Sequence, residues 1–225
     1  MDRPQPPTAH WPELVPSPEL RDWAMDTFVR EGGRLRNEDH IHLLDADIGF
    51  LWARTGFVKA SRLVLGQAEQ VAFRAGGWQK ARAAQQMVEW FGGIPDFLIT
   101  LAADYCAECS DAEFCALVEH ELYHIAQELD GFGAPAFTRD GMPKLKLRGH
   151  DVEEFVGVVR RYGASPDVQR LVEAANSRPE VEKINIARAC GTCLLKSACP
   201  RLRRRRYRGQ VRGHLPPRLP RTPRP

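Results

Sequence analysis

The stretch His120-Glu121-Leu122-Tyr123-His124 lies inside an apolar-periodic run from residue 111 to residue 129. Apolar residues recur in this run at spacings of three and four, which predicts one amphipathic helix. Ser110, with Glu113 three residues later, forms a capping box that marks the predicted start, and Asp130-Gly131 marks the predicted end. We therefore expect the five-residue stretch to lie in the middle of a rigid helix.

The two histidines of this stretch have the spacing of paired metal ligands. Side chains four residues apart on a helix project from the same face, so both imidazoles can reach one metal ion, and Glu121 lies beside them. This is the HExxH pattern of zinc sites. A chance match on an ordinary amphipathic helix is the alternative, and further ligand types downstream argue against it. The sequence therefore predicts His120 and His124 as zinc ligands.

A catalytic zinc usually takes three protein ligands, so a further ligand is expected. We predict His150, which follows His124 by 26 residues at the start of another helical pattern. Glu154 and Glu153 are the alternative third ligands, or carboxylates that orient an imidazole. Bound zinc would lower the pKa of its water toward about 7, and Glu121 would then act as the general base.

Two segments, VEHELYHI at 118–125 and RGHDVEEFVGVVRRYG at 148–163, resemble the putative phage metallopeptidase family, which is akin to the SprT-like zincins. The resemblance covers about residues 45–163. It implies an α+β, zincin-like fold, in which helices pack on a small mixed or antiparallel sheet and the HExxH motif lies on a central helix. It also implies a zinc metallopeptidase that hydrolyses peptide bonds through a zinc-activated water, with Glu121 as catalytic acid/base and with His120, His124 and His150 at ligand positions.

Turn residues and apolar patterns divide the rest of the chain. We expect helices after Ser17-Pro18 and Ser165-Pro166, a short helix over 79–91, and strands at 48–52, 62–65 continuing to 71–73, and 97–102. The predicted organisation is a flexible N-terminal arm (1–16), a zincin-like metallopeptidase domain (17–180), a cysteine-containing segment (181–200) and a disordered Arg/Pro-rich tail (201–225).

Six cysteines lie in two groups, the first at positions 106, 109 and 115. Such grouping suits a reducing compartment better than a disulfide framework. The second group, Cys190, Cys193 and Cys199, predicts a second metal site, either a structural zinc or an iron–sulfur cluster, although it is one ligand short. Unliganded thiols are the alternative.

The charge of the chain is distributed unevenly. The formal net charge is +3, no acidic residue follows Glu182, and ten arginines lie from Arg201 onward. The run that contains Arg203, Arg204, Arg205 and Arg206 is dense enough to bind nucleic acid through phosphates, with a solvated disordered tail as the alternative.

No stretch has the roughly 18 to 20 apolar residues of a membrane span, and the N-terminus lacks a signal-peptide pattern, so we expect a cytoplasmic protein with no membrane partner. The expected partner is a protein or peptide substrate. The rival hypothesis is a non-proteolytic, metal-stabilised protein that binds nucleic acid or has a regulatory role. Binding that follows the tail, together with no effect of Glu121 replacement on any activity, would favour that rival.

Overall fold

The computed structural model of the chain describes residues 2–8, 10–59, 62–152, 159 and 163–181. The strands are β1 (Leu14–Pro16), β2 (Ile48–Ala53), β3 (Phe57–Lys59), β4 (Arg62–Val64), β5 (Gly66–Gln70), β6 (Phe97–Ala102), β7 (Ile125–Gln127) and β8 (Leu145–Leu147). The α-helices are α1 (Pro18–Ala24), α2 (Gly77–Phe91), α3 (Ala103–Glu108), α4 (Asp111–Tyr123) and α5 (Pro166–Asn176), with a π turn at Met25–Val29 and a 3-10 turn at Glu38–Leu43.

A four-stranded mixed sheet with the strand order β1-β2-β6-β5 forms the centre of the fold. Strands β2 and β6 are parallel, whereas β1 pairs with β2 and β5 pairs with β6 in antiparallel fashion. The expected α+β architecture with a small mixed sheet is therefore confirmed. The predicted strand over 62–73 is divided instead: β4 forms a separate hairpin with β3, and only β5 joins the sheet.

Helices cover both faces of the sheet. Strand β2 is buried along almost its full length because its alternate residues pack on opposite sides. Phe50 and Trp52 belong to the main core with α1, α3 and α4, whereas Leu51 packs with Met87 of α2 in a smaller cluster. Gly49 permits this second layer, since a Cβ there would lie 2.9 Å from the Phe91 ring. The main core thus fixes α4 against the sheet.

Helix α4 is shorter than its apolar pattern predicts. It ends at Tyr123, His124 is the C-cap, and Ile125–Gln127 form β7, which pairs antiparallel with β8. The prediction of a helix to residue 129 with the HExxH stretch in its middle was therefore wrong. Ile125 is fully buried in the strand conformation. Its apolar character thus fitted the predicted helix and the observed strand equally well.

The other helix starts follow their local signals. Ser17 and Ser165 both cap helices that begin with proline, which confirms these two predictions. Within residues 1–16, for which the sequence predicts a flexible arm, Leu14–Pro16 form β1 and Arg3 makes an ion pair with Asp111 at 3.0 Å. None of the helices in the described part of the chain is long and apolar enough to cross a membrane.

Candidate metal centre

Helix α4 has a well-defined start and a buried face. The Ser110 hydroxyl accepts a hydrogen bond from the Glu113 backbone N–H at 3.2 Å, and the Glu113 carboxylate accepts one from the Ser110 N–H at 3.0 Å. This reciprocal bonding confirms the predicted capping box. The core holds the buried apolar face of the helix, so His120 on its last turn and His124 at its C-cap project from a fixed support.

Three histidines meet at the end of α4. The Nε2 atoms of His120 and His150 are 3.2 Å apart, and ligand atoms of His120, His124 and His150 all lie within 4.8 Å of one another. Two nitrogens bound to one tetrahedral zinc at 2.0–2.1 Å are separated by about 3.3 Å. The predicted ligands are therefore brought together, and the three histidines could hold one metal ion.

The hydrogen bond of His124 determines which ring nitrogen is available. His124 Nδ1 lies 2.8 Å from the Arg148 carbonyl oxygen, which can only accept a hydrogen bond. Nδ1 must therefore carry the proton, and Nε2 of the neutral ring keeps its lone pair. A backbone carbonyl that orients a ligand histidine in this way is a usual feature of metal sites. The donor chemistry of His124 thus fits a metal.

The short β7–β8 pair returns the chain to the histidines of α4. Ile125 is paired with Leu147, and the Arg148 N–H donates to the His124 carbonyl at 2.9 Å. His150 follows two residues later, on the same side of the helix end. The third histidine therefore depends on strand pairing more than on the helix pattern that follows it in the sequence.

Glu121 lies on the inner side of the helix. Its side chain is fully buried, and a Cβ added to Gly66 would lie 2.6 Å from Glu121 Oε1. Strand β5 therefore packs closely against this carboxylate, and only a glycine at position 66 leaves room for it. The sequence contains no local signal for this role of Gly66, because nothing near it in the chain places β5 beside α4.

Residues from the 3-10 turn hold the end of α4 on another side. The Asn37 side-chain amide donates to Glu119 at 2.9 Å and to the Tyr123 hydroxyl at 2.8 Å, and Tyr123 donates to Asp39 at 2.9 Å. The pKa of the Tyr123 hydroxyl is raised above its ordinary value, mainly by burial. This tyrosine therefore anchors the helix end through its hydroxyl.

Two histidines of the same turn lie beside this network. His42 Nε2 is 2.8 Å from the Ile125 carbonyl oxygen and so donates to it, while burial lowers the pKa of His42. His40 is fully buried, and its ring lies edge-on to Tyr123 with a centroid separation of 4.5 Å. The sequence contained no local signal for these long-range contacts.

The first cysteine group lies in the core near the start of α4. Cys106, Cys109 and Cys115 are buried thiols that form no disulfide with one another. A side-chain hydrogen bond with Cys106 is the main cause that lowers the pKa of Cys109 to about 7, and Arg3, which donates to Cys109 Sγ at 3.3 Å, adds to it. Burial raises the pKa of Cys115 to about 11. Within the described ranges, the three histidines are the one group of at least three side chains suited to hold a metal.

Several residues proposed from the sequence lie outside the described residues. These are the alternative third ligands Glu153 and Glu154, the second cysteine group Cys190, Cys193 and Cys199, and the arginines Arg203, Arg204, Arg205 and Arg206. The helix expected after His150 also falls largely on such positions.

A family model described as "Putative phage metallopeptidase" matches residues 21–176, which is more than half of the 225-residue chain. The chain belongs to this phage metallopeptidase family. The match includes α4, the β7–β8 pair and all three histidines, so the expected family resemblance is confirmed. Comparison with curated proteins gave no match, and neither did comparison with solved structures. Membership of this family points to a metal-dependent protease.

Proposed function

We propose that the protein is a zinc-dependent peptidase of the zincin type, with His120, His124 and His150 as the zinc ligands. The convergence of the three imidazoles, with 3.2 Å between two Nε2 atoms, is the observation that carries this proposal. Neutral imidazoles suit zinc, and three histidines leave a fourth position open for chemistry. Family membership supports peptide bonds as the substrate class.

Glu121 is the proposed general base. A bound zinc ion would act as a Lewis acid and lower the pKa of a coordinated water from about 15.7 toward about 7. The Glu121 carboxylate would take a proton from the attacking water and deliver it to the leaving amine nitrogen. Its position on α4 supports this role, because it comes directly after His120 on a helix that the core holds rigidly.

Strand β5 is the proposed support for the substrate backbone. It is the last strand of the four-stranded sheet, and its Gly66 packs against Glu121. An extended peptide that adds to a sheet edge is held by main-chain hydrogen bonds, which require no particular substrate sequence. The neighbouring strand Phe97–Ala102 is not available for this role. That strand, β6, lies between β2 and β5 and has no free edge.

Replacement of Glu121 tests the proposed chemistry most directly. We expect Glu121→Gln to keep its zinc and to lose peptidase turnover, because the amide cannot accept the proton. His120→Ala should lose the zinc at the histidines together with turnover, and any zinc that remains would lie at the second cysteine group. Metal content by plasma mass spectrometry and hydrolysis of unfolded casein would be measured on the same preparations. Loss of zinc from Glu121→Gln would make the glutamate structural, and a wild type without zinc would refute the proposed function.

The C-terminal segments are assigned separate roles in the proposal. Cys190, Cys193 and Cys199 would hold a second metal, a structural zinc or an iron–sulfur cluster, with a fourth ligand from elsewhere. The arginines at 203–206 would attract nucleic acid and bring the peptidase to proteins bound there. Cysteine spacing and arginine density in the sequence support both assignments.

A further inference from the structure

Arg148 contacts the end of α4 through both its backbone and its side chain. Its backbone carbonyl accepts from His124 Nδ1 at 2.8 Å, and its backbone N–H donates to the His124 carbonyl at 2.9 Å. Its side-chain Nε–H donates to the Tyr123 carbonyl at 2.8 Å. All three contacts join the strand that precedes His150 to the end of α4.

The side-chain hydrogen bond reaches the Tyr123 carbonyl, whereas the two backbone hydrogen bonds go to His124. The last carbonyls of an α-helix lack partners within the helix, and Tyr123 is the last helical residue of α4. The guanidinium of Arg148 reaches this carbonyl and lies over the Tyr123 ring, 5.7 Å from its centroid. The side chain thus joins the residue that follows β8 to the last turn of the helix, two residues before His150.

We propose that Arg148 is a positioning residue for the third metal ligand, because its Nε–H bond to the Tyr123 carbonyl holds the loop of His150 against the helix that carries His120 and His124. This inference rests on the proposed function, since it requires a metal at the three histidines. It goes further by assigning to the Arg148 side chain a part of the preorganisation that strand pairing alone does not supply.

Two substitutions distinguish this bond from the bulk and charge of the side chain. In Arg148→Gln, the amide nitrogen takes the place of arginine Nε along the side chain and can still donate. In Arg148→Met, a methyl group takes the same place and cannot donate. We expect Arg148→Met to weaken zinc binding by about 10–100-fold, as is typical when a group that orients a ligand is lost, and Arg148→Gln to stay close to wild type.

Zinc dissociation constants would be measured by competition with a chromophoric chelator, and unfolding midpoints would be measured in EDTA. Lys146→Met is the matched control, because it removes an exposed positive charge from β8, two residues before Arg148. Asp151→Asn removes the ion-pair partner of Arg148 Nη1, 3.0 Å away, and should have little effect because Asp151 is 77 % exposed. Both controls should bind zinc as the wild type does.

A double-mutant cycle tests whether Arg148 acts through His150. In a His150→Ala background, Arg148→Met should cause no further loss of zinc affinity, because the ligand that it positions is gone. The inference would be overturned, with the zinc site left intact, if Arg148→Met lowered the zinc affinity equally in both backgrounds. It would also be overturned if Arg148→Gln and Arg148→Met lowered the affinity equally, or if Arg148→Met bound zinc as tightly as the wild type. A Met variant that is unfolded in EDTA would also overturn it. A zinc content of His120→Ala that equals that of the wild type would instead refute the proposed function.

Discussion

The surroundings of Gly66 show how closely neighbouring atoms enclose the carboxylate of Glu121, the proposed general base. A Cβ at this position would lie 2.6 Å from Glu121 Oε1 and 2.9 Å from Leu117 Cδ1. Both side chains are buried and belong to a helix that cannot retreat, because Leu117 lies in the main core. A methyl group at position 66 must therefore displace the carboxylate, the helix or the strand.

We expect Gly66→Ala to lower the free energy of unfolding by about 1–3 kcal/mol, the usual cost of an overpacked core. Peptidase turnover should fall on the order of 100-fold, because a displaced base is misaligned. Zinc content should be retained, since the histidines are not touched. Gly131→Ala is the control, because a Cβ there meets no heavy atom within 4 Å. Equal turnover in the two variants would show that Glu121 does not need its observed position.

The residues of the site differ in how far the sequence could predict them. His120, Glu121 and His124 follow from spacing on a helix, which depends only on neighbours in the chain. His150 could be suggested by its residue type, but its approach depends on the β7–β8 pair. Gly66 could not be found, because its role arises from contact between β5 and α4, far apart in sequence.

At the level of elements, the end of α4 is decided by competition between helix and strand. Apolar residues at 122 and 125 continue the helical pattern, yet Ile125 pairs with Leu147 instead. Strand pairing gives the backbone beyond His124 its hydrogen bonds, and Ile125 remains buried. Periodicity alone cannot decide such a case, because the competing partner lies 22 residues away in the sequence.

His42 of the 3-10 turn makes the stability of the folded protein depend on pH. Burial lowers the pKa of His42 below its ordinary value of 6.5, so the folded protein resists protonation of this ring more than the unfolded chain does. The stability that a neutral His42 contributes is therefore complete above about pH 6.5 and is lost as the pH falls toward the lowered folded-state pKa.

Replacement of His42 by glutamine isolates this effect, because glutamine can still donate to the Ile125 carbonyl but does not titrate. We expect the free energy of unfolding of the wild type to fall more steeply than that of His42→Gln between pH 6.5 and pH 5. Urea unfolding of both proteins in EDTA would measure it, so that the other histidines contribute equally. A difference that is constant with pH would contradict the assignment.

At the level of the whole molecule, long-range contacts extend beyond the predicted core. The N-terminal segment is rich in proline, yet the Arg3 guanidinium lies 4.9 Å from the centre of the Phe114 ring and makes an ion pair with Asp111. Both partners belong to α4, so the first residues of the chain contact the metal-site helix. The proline-rich composition predicted a flexible arm and could not reveal where this segment contacts α4.

Removal of the C-terminal end of the chain should separate the proposed peptidase activity from the proposed nucleic-acid binding. The family match ends at residue 176, and all ten arginines from Arg201 onward lie beyond it. A chain of residues 1–181 should therefore keep the zinc at its histidines and its turnover on short peptides. It should lose most of its affinity for single-stranded nucleic acid.

Fluorescence anisotropy with a labelled oligonucleotide, measured over a range of salt concentrations, would test this separation. The full chain should show a steep decrease in affinity with salt, with a logarithmic slope of about −0.7 for each phosphate neutralised. The 1–181 chain should bind weakly at every salt concentration. A full chain with Arg203–Arg206 replaced by glutamine should have a salt slope between the slopes of the full chain and the 1–181 chain. Unchanged binding by the 1–181 chain would place the nucleic-acid interface within residues 1–181 and remove the tail from the proposal.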